Sequence, residues 1–107
     1  MTLYKFGGIV LVLFLQPDGQ RKKRPALVIL DTGDDDVILA PVTTKERKGR
    51  GDYEFKDWQK ANLLLPSWVR IAKISCVNKK EIAVCFGLST LNDRNGIRIE
   101  WKQTYKF

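Results

Sequence analysis

Three short apolar runs stand out in the first half of the chain, at residues 9–15, 26–30 and 37–42. Each is rich in valine, isoleucine and leucine and is bounded by turn-forming residues, a pattern that predicts β-strands. None is long enough to cross a bilayer. Because the apolar character is continuous rather than alternating, both faces of these strands should be covered. A small barrel whose outer face lies in a subunit interface would meet that requirement.

The second half of the chain shows shorter patterns. Residues 52–56 alternate, so Tyr53 and Phe55 should share one face of a strand, where they either stack on bases or pack in the core. Residues 67–74 alternate as well, with Trp68, Arg70 and Ala72 on one face. The remaining elements before the tail are an irregular or helical link and a last core strand, at residues 58–65 and 81–88.

The segment after Leu88 fits two structures. The Asn95-Gly96 pair indicates a hairpin, whereas apolar residues at helical spacing, with Ser89 as the N-cap, indicate a helix. The expected helical face carries Leu91, Arg94, Ile97, Trp101 and Tyr105. We favour the helix, although glycine is a poor helix former. The predicted fold is therefore one domain over residues 1–107, mainly β, a small barrel of five to seven strands with a C-terminal helix.

Composition narrows the possible functions. The 107 residues include 19 Lys+Arg and 12 Asp+Glu, for a formal charge of +7, which favours an anionic partner such as a nucleic acid. There is no histidine, the commonest general base. The two cysteines, Cys76 and Cys85, are interpreted as small buried hydrophobic residues in a reducing cytoplasm. The four aspartates of residues 31–36 match no metal-loop spacing and are expected to form a solvated turn, so no metal and no cofactor is predicted.

The cations concentrate in two stretches, residues 21–24 and 45–50. In a hairpin order, the loops at 16–23 and 43–51 leave the same end of the barrel, and the acidic turn lies at the other. Arg24 is held extended because Pro25 follows it, and a guanidinium in that position can hold a phosphate with two hydrogen bonds. Thr43 and Thr44 end the third strand at the same end and could bind a phosphate oxygen.

Four stretches, in this order along nearly the whole chain, resemble the PemK/MazF-like toxins of bacterial toxin–antitoxin systems. They are "GGIVLVLF" (7–14), "KRPALVI" (23–29), "LAPVTTK" (39–45), and "LLLPSWVRIAKI" (63–74) followed by "FGLS" (86–89). The resemblance implies an SH3-like barrel, usually a homodimer. It also implies a cytoplasmic, metal-independent endoribonuclease for single-stranded RNA, held in check by an acidic antitoxin.

The resemblance also assigns roles to individual residues. Arg24, Thr43 and Arg70 correspond to the family's catalytic residues. The predicted RNA-binding set comprises Arg21, Lys22, Lys23, Thr44, Lys45, Arg47, Lys48, Arg50 and Trp68. Two departures stand out: Ala72 occupies the position of an aspartate that some members use as a proposed general base, and no histidine is available. Asp18 and Glu46 are weak candidates for that base.

Three functions remain open. The first is a sequence-selective ribonuclease toxin, and the second is a nucleic-acid-binding or regulatory module that has lost catalysis. The third is a protein–protein adaptor, a common use of SH3-like barrels. RNA cleavage separates the first from the others, and salt-sensitive RNA affinity separates the second from the third.

Overall fold

The computed structural model describes residues 2–107, which form seven strands, three short 3-10 turns and one α-helix. The strands are β1 (Gly8–Leu15), β2 (Arg21–Leu30), β3 (Asp36–Thr43), β4 (Asp52–Glu54), β5 (Trp68–Arg70), β6 (Ser75–Asn78) and β7 (Ile82–Leu88). The helix, α1, spans Leu91–Thr104, and the 3-10 turns span Trp58–Ala61, Ile71–Lys73 and Lys79–Glu81. The prediction of a mainly β chain with a C-terminal helix is confirmed.

All strand pairs are antiparallel and belong to one seven-stranded sheet in the order β4-β5-β3-β2-β1-β7, with β6 also pairing with β3. The strand β3 pairs with β6 along its first half and with β5 at its end. The sheet is not closed, since no ladder within residues 2–107 joins β4 to β7. Its central strands β1, β2 and β3 are the three apolar runs of the sequence.

Two apolar clusters cover the two faces of these central strands. One contains Ile9, Leu27 and Ala40 and is closed by residues from β5, the following turn and α1. The other contains Val10, Val12, Ala26, Val28, Val37 and Leu39. Tyr4, Phe14, Val77 and Ile82 pack against this second cluster. The chain itself thus buries both faces, so the continuous apolar pattern does not require a subunit interface.

Two segments differ from the sequence prediction. Residues 21–24 belong to β2 rather than to a loop, because they pair with the second half of β1, Lys23 opposite Leu13 and Arg24 opposite Val12. The expected strand at residues 67–74 ends at Arg70 and turns through Ile71–Lys73 before β6 begins. This break lets β3 pair first with β6 and then with β5.

The prediction that the two cysteines are buried is wrong. Cys76 in β6 and Cys85 in β7 are both exposed, with free thiols.

The helix α1 is confirmed, but its start differs from the prediction. Thr90, not Ser89, is the N-cap, and its Oγ1 accepts a hydrogen bond from the Asp93 backbone N–H at 3.2 Å. The Ser89 hydroxyl is buried and donates to the Gly7 carbonyl. Leu91 is 61% exposed and is not on the buried face, whereas Asp93 and Ile97 are buried. Within residues 2–107 no helix is both long and apolar enough to cross a membrane.

Tertiary packing accounts for Gly96 inside α1. A Cβ at this position would lie 2.5 Å from Cε1 of the Tyr53 ring, so the ring of β4 sits directly against the helix backbone. The Tyr53 hydroxyl donates a 2.7 Å hydrogen bond to Asp93 one turn earlier. A residue that weakens an isolated helix is therefore needed for this helix to dock.

Candidate nucleic-acid interface

A cleft of about 380 Å³ opens where β2 begins and β3 ends. We call it the cationic cleft. Its lining residues are Phe14, Arg24, Pro25, Pro41, Val42, Thr43, Thr44, Arg47 and Arg70. All three residues predicted to be catalytic line it, together with two of the predicted RNA-binding residues, Thr44 and Arg47.

Strand pairing brings these side chains together from distant parts of the sequence. Ala26 pairs with Pro41 across β2 and β3. Arg24, near the start of β2, therefore lies beside Thr43, at the end of β3. Thr43 in turn pairs with Trp68 of β5, two residues before Arg70. The cleft is thus assembled on three neighbouring strands, which hold it more rigidly than a single loop would.

The lining charges all have the same sign. Three arginines face the cleft, and no carboxylate is among the residues that line it. A concave site lined by charge of one sign attracts the opposite charge and raises its local concentration. Planar guanidinium groups also match the geometry of phosphate oxygens. The electrostatics therefore favour an anionic ligand such as a phosphodiester.

The threonines add neutral hydrogen-bonding groups. Thr43 is half-buried, and its Oγ1 accepts a 3.1 Å hydrogen bond from the Lys45 backbone N–H. This leaves the hydroxyl proton of Thr43 available to a ligand. The Arg47 Nε atom is buried and has no hydrogen-bond partner among residues 2–107.

Arg70 is held in place by the carboxylate of Asp52, which was not among the predicted site residues. Its Nε donates to Asp52 Oδ1 at 3.3 Å, and the two residues are paired across β4 and β5. The Asp52 side chain is only 5% exposed, against 29% for Arg70. The sequence predicts a strand that begins at Asp52 but not its partner strand, so only the β4–β5 register places Asp52 beside Arg70.

A second, largely apolar cleft of about 300 Å³ adjoins the cationic cleft. The two share Pro25, Val42, Thr43 and Thr44. Leu64 and Leu65 line this apolar cleft while remaining 91% and 56% exposed. An apolar surface directly beside a cationic one suits a ligand that carries both a charge and a flat ring.

The other predicted RNA-binding residues do not line the cationic cleft. Arg21 forms an exposed ion pair with Glu81 at 3.1 Å, and Lys48 forms one with Glu46 at 3.2 Å. Arg50 lies 3.4 Å from the carbonyl oxygens of Gln103 and Thr104 at the end of α1. The remaining members are the exposed Lys22, Lys23 and Lys45 and the half-buried Trp68.

Neither candidate for base stacking, Tyr53 in β4 or Phe55 directly after it, is free to stack. Phe55 is 3% exposed, and Tyr53 is half-buried against it in an edge-to-face arrangement. Burial and the hydrogen bond to Asp93 raise the pKa of the Tyr53 hydroxyl well above its ordinary value. Both aromatic residues therefore serve the packing of α1 on the sheet, which corrects the stacking hypothesis.

None of the carboxylates considered as a general base lines the cationic cleft. Asp18 accepts the Gln20 backbone N–H in the β1–β2 turn, and Glu46 pairs with Lys48. Ala72 is exposed in the 3-10 turn after β5 and is also absent from the lining. The cleft is lined by cations and hydroxyls, and no carboxylate is among its lining residues.

Comparison with known proteins identifies the family. The model of the PemK-like, MazF-like toxins of type II toxin–antitoxin systems matches residues 5–97. The chain belongs to this family. No curated protein sequence matches it. The family assignment agrees with the four stretches of sequence, which all lie within the matched residues.

Solved structures show the same fold at low sequence identity. An endoribonuclease from a Mycobacterial species, in complex with its cognate antitoxin, is 18% identical with a TM-score of 0.75, over 94% of each chain. The toxin MazF-mt6 of Mycobacterium tuberculosis is 17% identical with a TM-score of 0.76, over 94% of this chain and 97% of that one. The MazE–MazF complex of Deinococcus radiodurans is 12% identical with a TM-score of 0.75, over 100% and 99%.

Proposed function

We propose that this family member is a metal-independent endoribonuclease that cleaves single-stranded RNA in the cationic cleft. The observation that carries the proposal is the convergence of Arg24, Arg70 and Thr43 in one cleft whose lining includes no carboxylate. This arrangement suits the stabilisation of a phosphodiester as it gains negative charge. Membership of a toxin family supports the same conclusion.

The reaction needs no nucleophile from the protein. The ribose 2′-oxygen attacks the adjacent phosphorus, and the 5′-oxygen of the next nucleotide leaves, giving a 2′,3′-cyclic phosphate and a 5′-hydroxyl. Negative charge builds on the non-bridging oxygens, where Arg24 and Arg70 act as fixed donors, and the Thr43 hydroxyl donates a hydrogen bond to the same group. The 2′-hydroxyl proton passes to water and a proton from solvent reaches the leaving oxygen, which balances the step.

Selectivity is assigned to the apolar cleft next to the reaction site. A nucleotide carries its charged phosphate and its flat base only one sugar apart, so adjoining cationic and apolar clefts match a single nucleotide. Exposed Leu64 and Leu65 would contact the base, in the way that single-stranded RNA is commonly read with its bases splayed out. Restriction to RNA follows from the chemistry, because DNA lacks the attacking hydroxyl.

We also propose the partners of a type II toxin. A cleft with three arginines fits an acidic antitoxin segment as well as RNA, and two structural relatives have been solved with antitoxins. A cytoplasmic homodimer completes the proposal. Binding of the antitoxin over the cleft would block RNA, which gives the inhibition a simple steric and electrostatic basis.

One observation favours a second candidate function. No carboxylate or histidine lines the cleft, and Ala72 stands where some relatives have an aspartate. A cleft of this kind could bind RNA without cleaving it. The alternative is therefore a nucleic-acid-binding module on the same fold.

The test is incubation of the purified protein with a long single-stranded RNA in EDTA, with the Arg24→Ala variant alongside. Mass spectrometry first establishes that no acidic partner has copurified. Discrete cuts with 5′-hydroxyl ends, absent with the variant, are the expected result. Intact RNA that is nevertheless bound with strong salt dependence would replace the ribonuclease proposal by the binding module.

A further inference from the structure

Asp52 pairs with one of the cleft cations, Arg70, and both of its carboxylate oxygens accept hydrogen bonds. Oδ1 accepts from Arg70 Nε at 3.3 Å, and Oδ2 accepts from the Gly49 backbone N–H at 2.9 Å. The Asp52 backbone N–H also donates to the Gly49 carbonyl at 3.2 Å. One nearly buried side chain thus joins β5 to the basic segment 45–51.

The contact with Asp52 leaves the two terminal guanidinium nitrogens of Arg70 free among residues 2–107. A guanidinium has five N–H donors, and Asp52 occupies only the one on Nε. Within residues 2–107 the two terminal nitrogens of Arg70 make no other hydrogen bond, while the residue lines the cationic cleft. An arginine held at Nε presents its terminal N–H groups in a defined direction without losing them.

The contact between Asp52 and Gly49 restrains the segment that carries Arg47, another residue that lines the cleft. Gly49 follows Arg47 by two residues, and Arg47 lines the cleft with a buried Nε. Asp52 therefore restrains both the Arg70 wall and the turn that carries Arg47. The carboxylate itself does not line the cleft, so it cannot take a proton from the ligand directly.

We infer that Asp52 is a positioning residue that holds Arg70, and with it the geometry of the cationic cleft, in the arrangement needed for phosphodiester cleavage. The inference rests on the proposed ribonuclease function. It gives the catalytic site a carboxylate in a supporting role, supplied by β4 rather than by the turn that contains Ala72. Holding a donor in place before the reaction is what makes it effective on a developing charge.

The experiment is a double-mutant cycle with Asp52→Asn and Arg70→Ala, measuring kcat and KM on a short RNA that the wild-type protein cleaves. Asparagine keeps the size of the side chain, but it cannot accept from both Arg70 and Gly49. We expect Asp52→Asn to lower kcat by about 10- to 100-fold, the loss typical of residues that orient a functional group in metal sites. KM should change by less than about threefold, because uniform binding is retained.

The cycle separates positioning from general stability. If Asp52 acts mainly through Arg70, Asp52→Asn should cause a much smaller loss of kcat when Arg70 is already alanine, because only the contact to Gly49 then remains to be lost. The matched control is Glu54→Gln, which removes an exposed carboxylate two residues along the same strand, paired only with Lys56, and should leave kcat unchanged. If Asp52→Asn unfolds near the assay temperature, the variant Arg70→Lys is used instead. Lysine keeps the positive charge but has no Nε–H group to donate to Asp52. The same loss of kcat is expected.

Each other outcome overturns a stated claim. A wild-type kcat for Asp52→Asn or Arg70→Lys would overturn the inference, as would an equal loss in both Arg70 backgrounds, which would mark a merely structural role. A wild-type protein that leaves RNA intact in EDTA would instead overturn the proposed function, and the role of Asp52 in cleavage with it. The two failures are therefore distinguishable from the wild-type assay alone.

Discussion

Both ends of the sheet carry clustered charge, but the charges at one end face an open cleft and Asp31 at the other end is paired within the fold. At the end where β2 begins, Arg24, Arg47 and Arg70 face an open cleft, and among residues 2–107 only Arg70 of the three has a carboxylate partner. At the other end, Asp31 follows β2, and its side chain is fully buried in a network of partners. The two ends lie about 20 Å apart, given the rise of a strand from Arg24 to Leu30.

Asp31 is satisfied entirely by the chain itself. Its oxygens accept from the backbone N–H groups of Tyr4 at 2.7 Å and Gly33 at 2.8 Å, and Lys79 Nζ lies 3.0 Å away. The Tyr4 backbone hydrogen bond, helped by Gly33 and Lys79, lowers the pKa of Asp31 below its ordinary value. The expected solvated turn is therefore wrong for Asp31, whereas Asp34 and Asp35 are exposed.

The comparison shows how function can be distinguished from stability among charged residues. Charges whose partners lie within the fold contribute to the free energy of unfolding, and removing one leaves the other unpaired. Charges that face an open cleft contribute little to folding and remain available to a ligand. Substitutions at the two ends should consequently affect different measurements.

The largest expected effect is the loss of cleavage in Arg24→Ala. Removing one fixed donor from a developing oxyanion costs about 100- to 1,000-fold in kcat. Because Arg24 is exposed, the melting temperature should remain close to that of the wild type. Cleavage rates and thermal unfolding of the same preparation check both expectations. A wild-type rate would remove Arg24 from the site.

Asp31→Asn should lower stability without affecting cleavage, the reverse of Arg24→Ala. The melting temperature at pH 7 should fall by several degrees while kcat on RNA stays unchanged. Because folding lowers the pKa of Asp31, its stabilisation is fully present above the ordinary aspartate pKa of 3.8 and is lost as the pH falls through the lower folded-state pKa. The difference in melting temperature should therefore shrink in acid.

The control for this substitution is Asp35→Asn, which makes the same charge change in the same turn at an exposed side chain. It should leave the melting temperature nearly unchanged at every pH. Equal destabilisation by the two variants would mean that net charge, rather than the buried partners of Asp31, is responsible.

Thr43→Val is expected to slow cleavage by about tenfold, less than the loss of a charged donor. Valine matches the shape of threonine, so thermal unfolding should change little apart from the lost hydrogen bond to Lys45. Thr32→Val, at the acidic end, is the matched control and should leave cleavage intact. A large fall in melting temperature for Thr43→Val would identify its hydroxyl as structural.

The smallest effect is expected for Lys22→Ala. Lys22 is exposed on β2 and lines neither cleft, so kcat should be unchanged. If its ammonium contacts a phosphate, RNA affinity should fall modestly and the slope of log affinity against log salt should drop by about one. A fall in kcat of more than about tenfold, the range of a residue that touches the reaction, would contradict the placement of Lys22 outside the cleft.

Local pattern alone predicted most of the fold. Strands β1, β2 and β3 follow from continuous apolar runs, because a buried strand requires such residues wherever the chain folds back. The candidate site residues Arg24, Thr43 and Arg70 were predicted from Pro25 and from the family resemblance, since short stretches such as "KRPALVI" are characteristic in themselves. The apolar face of α1 was only partly predicted, because Leu91 is exposed and Asp93 is buried.

What the sequence by itself determined is the set of strands, the terminal helix, the basic charge and the family. Only the tertiary structure decided which charges meet. Asp52 pairs with Arg70, and Asp31 with Lys79, because strands and turns far apart in the chain become neighbours. Local composition cannot anticipate such contacts, since a charged residue looks the same in the sequence whether its partner is water, a ligand or another part of the fold.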